Sequence, residues 1–216
     1  WTPSAETKTH SEVADFAQFV KQDTGFDWQN DFQNLWSMSV AEPETFWDCL
    51  WQWHQVIGEK TGPVLIDGDK MPGAKFFPEA SLNFAENLLR EADDRPAVIA
   101  HGEDGRRLCM SRAELANKTM RLAGWMRQQG VEAGDRVAAY IPNISEAVIT
   151  MLAAASIGAI YSSCSPDFGL NGVADRFGQI EPKLLISVDG YEYGGKKIDR
   201  RDIVSALCAR IPSIQA

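Results

Sequence analysis

The chain has 216 residues, 44% hydrophobic and 24% charged, a globular composition with enough length for one substantial core and a smaller appendage. A formal net charge of -9 excludes the basic footprint of a nucleic-acid binder, so any phosphate site has to be local. Four scattered cysteines without a CxxC pair exclude a zinc or disulfide scaffold and suit reduced thiols in the cytoplasm, and no run reaches the roughly 18 apolar residues of a membrane span.

The opening WTPSAETKTHSEV lacks an apolar stretch of signal-peptide length, and the sequence stops at SIQA just past a helical pattern. It reads as a piece of a longer chain. Val13, Phe16, Phe19 and Val20 recur at helical spacing from about Glu12, Thr9 to Glu12 has capping-box form, and Gly25 offers a stop. Aromatic residues dominate from Phe26 to Trp53. Within that stretch Glu42-Pro43 suits a helix start at Pro43, and Phe46, Leu50, Trp53 and Ile57 form an apolar stripe widened by Trp47 and Trp51. Core packing explains these tryptophans better than cofactor stacking. His54 has no second ligand at metal spacing, and His10, His54 and His101 form no HExxH or triad pattern.

From Thr61 to Pro78 the sequence is rich in Gly and Pro and reads as an irregular surface connector; Ser81 to Arg90 resumes as a helix. After Pro96 strands and helices alternate. Ala97 to Ala100 and Arg107 to Met110 flank the turn Gly102-Glu103-Asp104-Gly105 as a hairpin. Ser111 to Glu114 forms a capping box for a helix that runs to Gly130. Then follow strand Arg136 to Ile141, helix Ser145 to Ser156, strand Ala159 to Ser163, helix Leu170 to Gln179, strand Lys183 to Val188 and helix Asp199 to Arg210. Strand and helix in strict alternation predict a parallel sheet, because parallel strands require crossovers. Ligands of such sheets lie beyond the carboxyl ends of the strands, here Pro142-Asn143, Cys164 to Gly169 and Asp189 to Lys197.

The segment Gly190-Tyr-Glu-Tyr-Gly194-Gly195-Lys196-Lys197 matches the GxxxxGK part of a phosphate loop between a strand and a helix. Lys197 breaks the match, since the next position needs a hydroxyl to ligate magnesium. The two lysines read either as a solvated basic turn or as partners of a single phosphate. Cys164 has no nearby histidine and reads as a structural thiol. Phe168-Gly169 reads as a loop where backbone approaches a ligand, with Phe168 as an apolar wall.

Taken together, MPGAKFFPEASLNFAENLLR (Met71 to Arg90), GDRVAAYIPNISEAVITMLAAASIGAIYSSCSPDFG (Gly134 to Gly169), RFGQIEPKLL (Arg176 to Leu185) and DGYEYGGKK (Asp189 to Lys197) resemble the acyl- and aryl-CoA ligases of the adenylate-forming superfamily, and within it the branch that activates acetoacetate. Tyr161 and Ser145 stand where that family has Trp and Pro. The resemblance implies an α/β fold in which a helical, aromatic-rich N-terminal extension, residues 1–93, resembles that of acetyl-CoA synthetases. Residues 94–216 would then be the first portion of the AMP-binding domain, a partial parallel sheet with flanking helices.

The implied chemistry has two steps: acetoacetate attacks the α-phosphate of ATP with Mg2+ assisting, and the thiol of CoA then displaces AMP. The Ser/Thr/Gly-rich phosphate loop with its Lys, the adenine and ribose contacts and the C-terminal catalytic lysine of that family have no match here. No catalytic or metal-binding residue is therefore expected among these residues, and the isolated piece is expected to be inactive. In relatives of the acetyl type the CoA nucleotide rests near the loop after the second parallel strand and beside a basic turn. Carried over, Phe168, Gly169 and Lys196 or Lys197 are the candidates for CoA contact, although the family uses arginines where this sequence has lysines. A ligase for another short acid and a noncatalytic α/β module are the alternatives. A parallel sheet cut partway also exposes an edge through which two copies are expected to pair.

Overall fold

In a computed structural model that describes residues 2–103 and 105–216, the chain divides into one unit ending at Leu82 and a second from Asn83 to Ala216. Helix starts in the first unit follow their caps. Ser4 accepts a bond from the Thr7 amide to begin α1 (Ala5–Thr9), and Ser11 accepts one from Ala14 at 3.3 Å to begin α2 (Glu12–Thr24). The expected capping box at Thr9 does not form, because Thr9 ends α1 and donates its hydroxyl back to the Ala5 and Glu6 carbonyls. Gly25 stops α2 with φ 79°, as a left-handed cap requires. Asp31 caps α3 (Phe32–Ala41), a helix not anticipated inside the aromatic stretch, and Pro43 is the first residue of α4 (Pro43–Trp53).

These helices close around buried Phe16, Val20, Trp28, Leu35, Met38 and Cys49. Phe46, Leu50 and Trp53 of the expected stripe pack against that core, and the Phe16 and Phe46 rings meet edge to face at 5.6 Å. Ile57 lies beyond the end of α4 and is exposed. Trp47 and Trp51 turn outward onto Phe76 and Phe77, with ring centroids 5.3 and 4.9 Å apart, so these tryptophans are packing residues. The Gly- and Pro-rich connector contains more order than its composition suggests. β1 (Gly58–Glu59), β2 (Leu65–Ile66), β3 (Lys75–Phe76) and β4 (Ser81–Leu82) form two antiparallel pairs, β1 with β4 and β2 with β3. Gly58 is needed there, since a Cβ would fall 2.7 Å from that of Leu82.

In the second unit Asn83 caps α5 (Phe84–Leu89) and donates its side-chain amide to the Ala155 carbonyl at 2.9 Å, so the helix begins later than the sequence suggests. β5 (Pro96–His101) and β6 (Arg107–Ser111) pair as the expected hairpin; Asp104, in its turn, lies outside the described residues. The capping box is present: the Glu114 amide donates to Ser111 Oγ and the Ser111 amide to Glu114 Oε2, starting α6 (Arg112–Gln128). Ser111→Ala is therefore expected to lower the stability of the chain by about 0.5–2 kcal/mol in chemical denaturation. An unchanged midpoint would contradict that cap's role.

β7 (Arg136–Tyr140), α7 (Ser145–Ser156), β8 (Ile160–Cys164), α8 (Leu170–Ile180) and β9 (Leu184–Ser187) then build a parallel sheet in the order β8-β7-β9. The middle strand is covered on both faces, so Val137, Ala138, Ala139 and Tyr140 are all fully buried. Val137 packs with Met126, Ala153 and Ala154 on one face, while Ala138 and Tyr140 pack with Val173, Phe177 and Leu207 on the other. Along β9 the amide of Gln215 donates to the Lys183 carbonyl and that of Leu185 to the Ala216 carbonyl, so the last residues run beside this strand. Among the described residues β8 pairs with β7 alone.

One correction concerns the ligand edge. Instead of a glycine-rich loop leading into a helix at Asp199, β10 (Gly190–Tyr193) and β11 (Lys196–Asp199) form an antiparallel hairpin, and α9 (Arg201–Arg210) starts after it. Gly194 and Gly195 have φ 58° and 71°, the left-handed pair that a two-residue hairpin turn needs.

Candidate functional site

The carboxyl ends of β7, β8 and β9 gather the residues that the sequence singles out. The loop from Ser165 to Gly169 is held from below by Tyr140, whose buried phenol stands 2.8 Å from the Pro166 carbonyl and 2.7 Å from that of Phe168. Its one proton is shared between the two acceptors, and burial pushes its pKa up, so it stays a donor. Within the loop the Phe168 amide donates to the Ser165 carbonyl, and Ser165 Oγ donates to Asp167 at 2.8 Å. From the side, the phenol of Tyr191 in β10 donates to Asp167 Oδ1 at 2.6 Å. Arg200 Nη2 in turn donates to the Tyr191 oxygen at 3.1 Å, with its guanidinium over the same ring. The Tyr191 bond, followed by that from Ser165, holds the Asp167 carboxyl below the usual carboxylate range.

Phe168 is 42% exposed, with the Arg176 guanidinium 4.3 Å from its ring centroid. Gly169 begins α8 with φ -72°, and a Cβ there would meet nothing within 4 Å. The chain's own backbone thus places no demand for glycine at this position, and the space beside it is open. Lys196 pairs with Tyr193 and Lys197 with Glu192 across the hairpin. Because successive side chains of a strand alternate, Lys196 shares the Tyr191 face that meets the loop, whereas Lys197 points to the other face. The two lysines therefore occupy opposite faces of the hairpin.

Beside the hairpin a groove of about 480 Å3 is lined by Arg106, Tyr191, Lys197 and Arg201, among others. Arg201 pairs with Asp199, whose carboxyl is pulled down to about 2. The tandem glycines form the hairpin turn and point no helix N-terminus at a phosphate, so this segment does not fit the phosphates of ATP. Among the described residues no group of three or more His, Cys, Asp and Glu is gathered to hold a metal ion, and no helix is long and apolar enough to cross a membrane. Tyr140, Asp167 and Tyr191 lie within the segments that carry the resemblance and Arg200 lies just past them, but no sequence pattern marks the contacts by which they tie the candidate residues together.

Thiol chemistry at this edge is constrained. Cys164, at the end of β8, is buried. In the first unit burial, and then the Asp23 carboxylate 3.6 Å away, push the Cys49 thiol up to about 11. Cys109 and Cys208 are exposed. A disulfide reagent at pH 8 is expected to label Cys109 and Cys208 of the native chain quickly, and Cys49 and Cys164 only on unfolding. Fast labelling of Cys49 or Cys164 in peptide mapping would contradict this arrangement.

Comparison with known proteins agrees along the whole chain. The model of the AMP-binding enzyme family matches residues 84–213, and that of the acetyl-coenzyme A synthetase N-terminus matches residues 32–88. Acetoacetyl-coenzyme A synthetase of Rhizobium meliloti (strain 1021) is 46% identical over 216 residues, covering 100% of this chain and 33% of that protein. Malonamoyl-CoA synthetase of Penicillium aethiopicum is 32% identical over 224 residues, covering 100% of this chain and 31% of its own. The solved structure of acetoacetyl-CoA synthetase from Streptomyces lividans superposes with a TM-score of 0.94 at 40% identity, over 100% of this chain and 34% of that one. The chain therefore spans about a third of the length of the relatives it matches.

Proposed function

Because the chain belongs to the AMP-binding enzymes, we propose that it is the N-terminal portion of an ATP-dependent ligase that converts acetoacetate, ATP and CoA to acetoacetyl-CoA, AMP and pyrophosphate through an acyl-adenylate. The observation that carries this reading is the match of the entire chain to the first third of acetoacetyl-CoA synthetases, at 46% and 40% identity. In this reading residues 1–93 are the extension and residues 94–216 open the adenylation domain. ATP, Mg2+ and the acid are handled by later sequence, in the cytoplasm. Phe168, Gly169 and Lys196 form a surface for CoA, with Lys197 on the opposite face of the hairpin: an exposed ring, open space beside backbone, and an ammonium group for a phosphate.

A second reading, a ligase for a related short acid, is favoured by the 32% identity to a malonamoyl-CoA synthetase. The coding sequence beyond Ala216 tests the common part of both readings. A Ser/Thr/Gly-rich loop followed by Lys is expected, and a stop codon would overturn them. The isolated chain is expected to be inactive and to bind ATP no better than millimolar in titration calorimetry.

A further inference from the structure

We propose that Tyr191 is a positioning residue whose bond to Asp167, braced by Arg200, fixes the Ser165 to Gly169 loop against the β10-β11 hairpin so that Phe168, Gly169 and Lys196 present one surface. This inference rests on the CoA reading above and deepens it.

The loop is constrained in two directions by two different tyrosines. Tyr140 sets its height over the sheet through the Pro166 and Phe168 carbonyls, and it does so from a fully buried strand position. Tyr140 makes no bond to the hairpin in this network, so it leaves the sideways relation between loop and hairpin open. Tyr191 supplies that relation with a short bond to an ionised carboxylate, which is the stronger kind of hydrogen bond.

The hairpin end of the bond is itself braced. The Arg200 amide donates to the Asp189 carbonyl at 2.8 Å, and its side chain reaches back to the Tyr191 oxygen and ring. Arg200 Nε is buried with no partner, so the guanidinium keeps this place at a desolvation cost, and its visible return is the hold on Tyr191. Gly190 lets the hairpin close beneath the phenol, because a Cβ there would fall 2.6 Å from the Ile198 carbonyl oxygen. Asp167 immediately precedes Phe168, and Tyr191 shares its hairpin face with Lys196. The bond thus joins the two halves of the candidate surface next to the residues that would touch the ligand. Tyr191 itself need not touch CoA for this role.

Tyr191→Phe and Asp167→Ala are tested in the complete ligase by steady-state kinetics, and Tyr191→Phe in this chain by hydrogen exchange. Each single variant is expected to raise the KM for CoA by about tenfold, and the double variant no further than either single, because both remove one interaction. In the chain the Asp167 and Phe168 amides of Tyr191→Phe are expected to exchange about tenfold faster, while β7 amides keep their rates. Single variants within twofold of the wild-type KM for CoA, effects that multiply in the double variant, or unchanged loop exchange would each overturn the inference. If the wild-type ligase does not use CoA, the underlying reading fails instead. If wild type uses CoA and β7 exchange also rises in Tyr191→Phe, Tyr191 is a general stability residue and the positioning role is refuted.

Discussion

Phe177→Ala is expected to destabilise the chain by about 3–5 kcal/mol, the range for emptying the space of a buried phenylalanine. Phe177 has no exposed surface and lies in the cluster formed by α8, α9 and the face of the sheet that carries Ala138 and Tyr140. The neighbours cannot easily collapse into the void. Ala138 is already the smallest residue that covers the strand, and Tyr140 is fixed by its bonds to the Ser165 to Gly169 loop. The measurement is the urea midpoint and slope, with a fall in midpoint at constant slope expected. A loss below about 1 kcal/mol would mean that the second unit does not depend on this face of the sheet.

In the complete ligase, replacing Lys196 and Lys197 together by Ala is expected to raise the KM for CoA about tenfold or more, since each charge-assisted bond to a phosphate is worth about 1.5–3 kcal/mol. The hairpin sharpens this expectation. Lys196 and Lys197 occupy successive positions of β11 and so face opposite sides, with Lys196 on the Tyr191 face beside the loop that carries Phe168. Lys196→Ala alone is therefore expected to reproduce most of the double effect, and Lys197→Ala little of it. The ATP-dependent pyrophosphate exchange of the same variants separates CoA binding from adenylation. An unchanged KM for CoA in the double variant would remove both lysines from the site.

The parallel core is legible in the sequence because a strand covered on both faces leaves an uninterrupted apolar run, VAAYI, between a helix-ending glycine and a Pro-Asn turn. The capping box at Ser111 is legible for a similar reason: its donors and acceptors are local, and no distant residue has to be known. α3 is hidden because its apolar residues lie on different sides of the helix, with the aromatic pair Phe32 and Trp36, one turn apart, on the outer one. Leu35 and Met38 are buried while Phe32 and Trp36 are exposed, so no single apolar stripe stands out. Asp31, a good N-cap, is the signal that marks its start.

The β10-β11 hairpin illustrates a genuine degeneracy. Tandem glycines before lysine serve a phosphate loop and a two-residue hairpin turn equally well, and only the positive φ of both glycines and the pairing of Tyr193 with Lys196 decide between them. The alternation of Tyr191 and Tyr193 with Gly190 and Glu192 is the period-two pattern that points to strands. The tie between loop and hairpin is not legible at all. Asp167 and Tyr191 are 24 positions apart, and their bond depends on how a crossover helix returns the chain to the sheet. Residue types near the candidate surface follow from sequence and resemblance, but their spatial relation follows from topology.

Pyrophosphate release by the complete protein, supplied with ATP and Mg2+ and with acetoacetate, malonamate, acetate or propionate in turn, tests the central claim most directly. Release that depends on acetoacetate and exceeds that with the other acids is the predicted result. Release with none of these acids, or a clear preference for one other than acetoacetate, would contradict it.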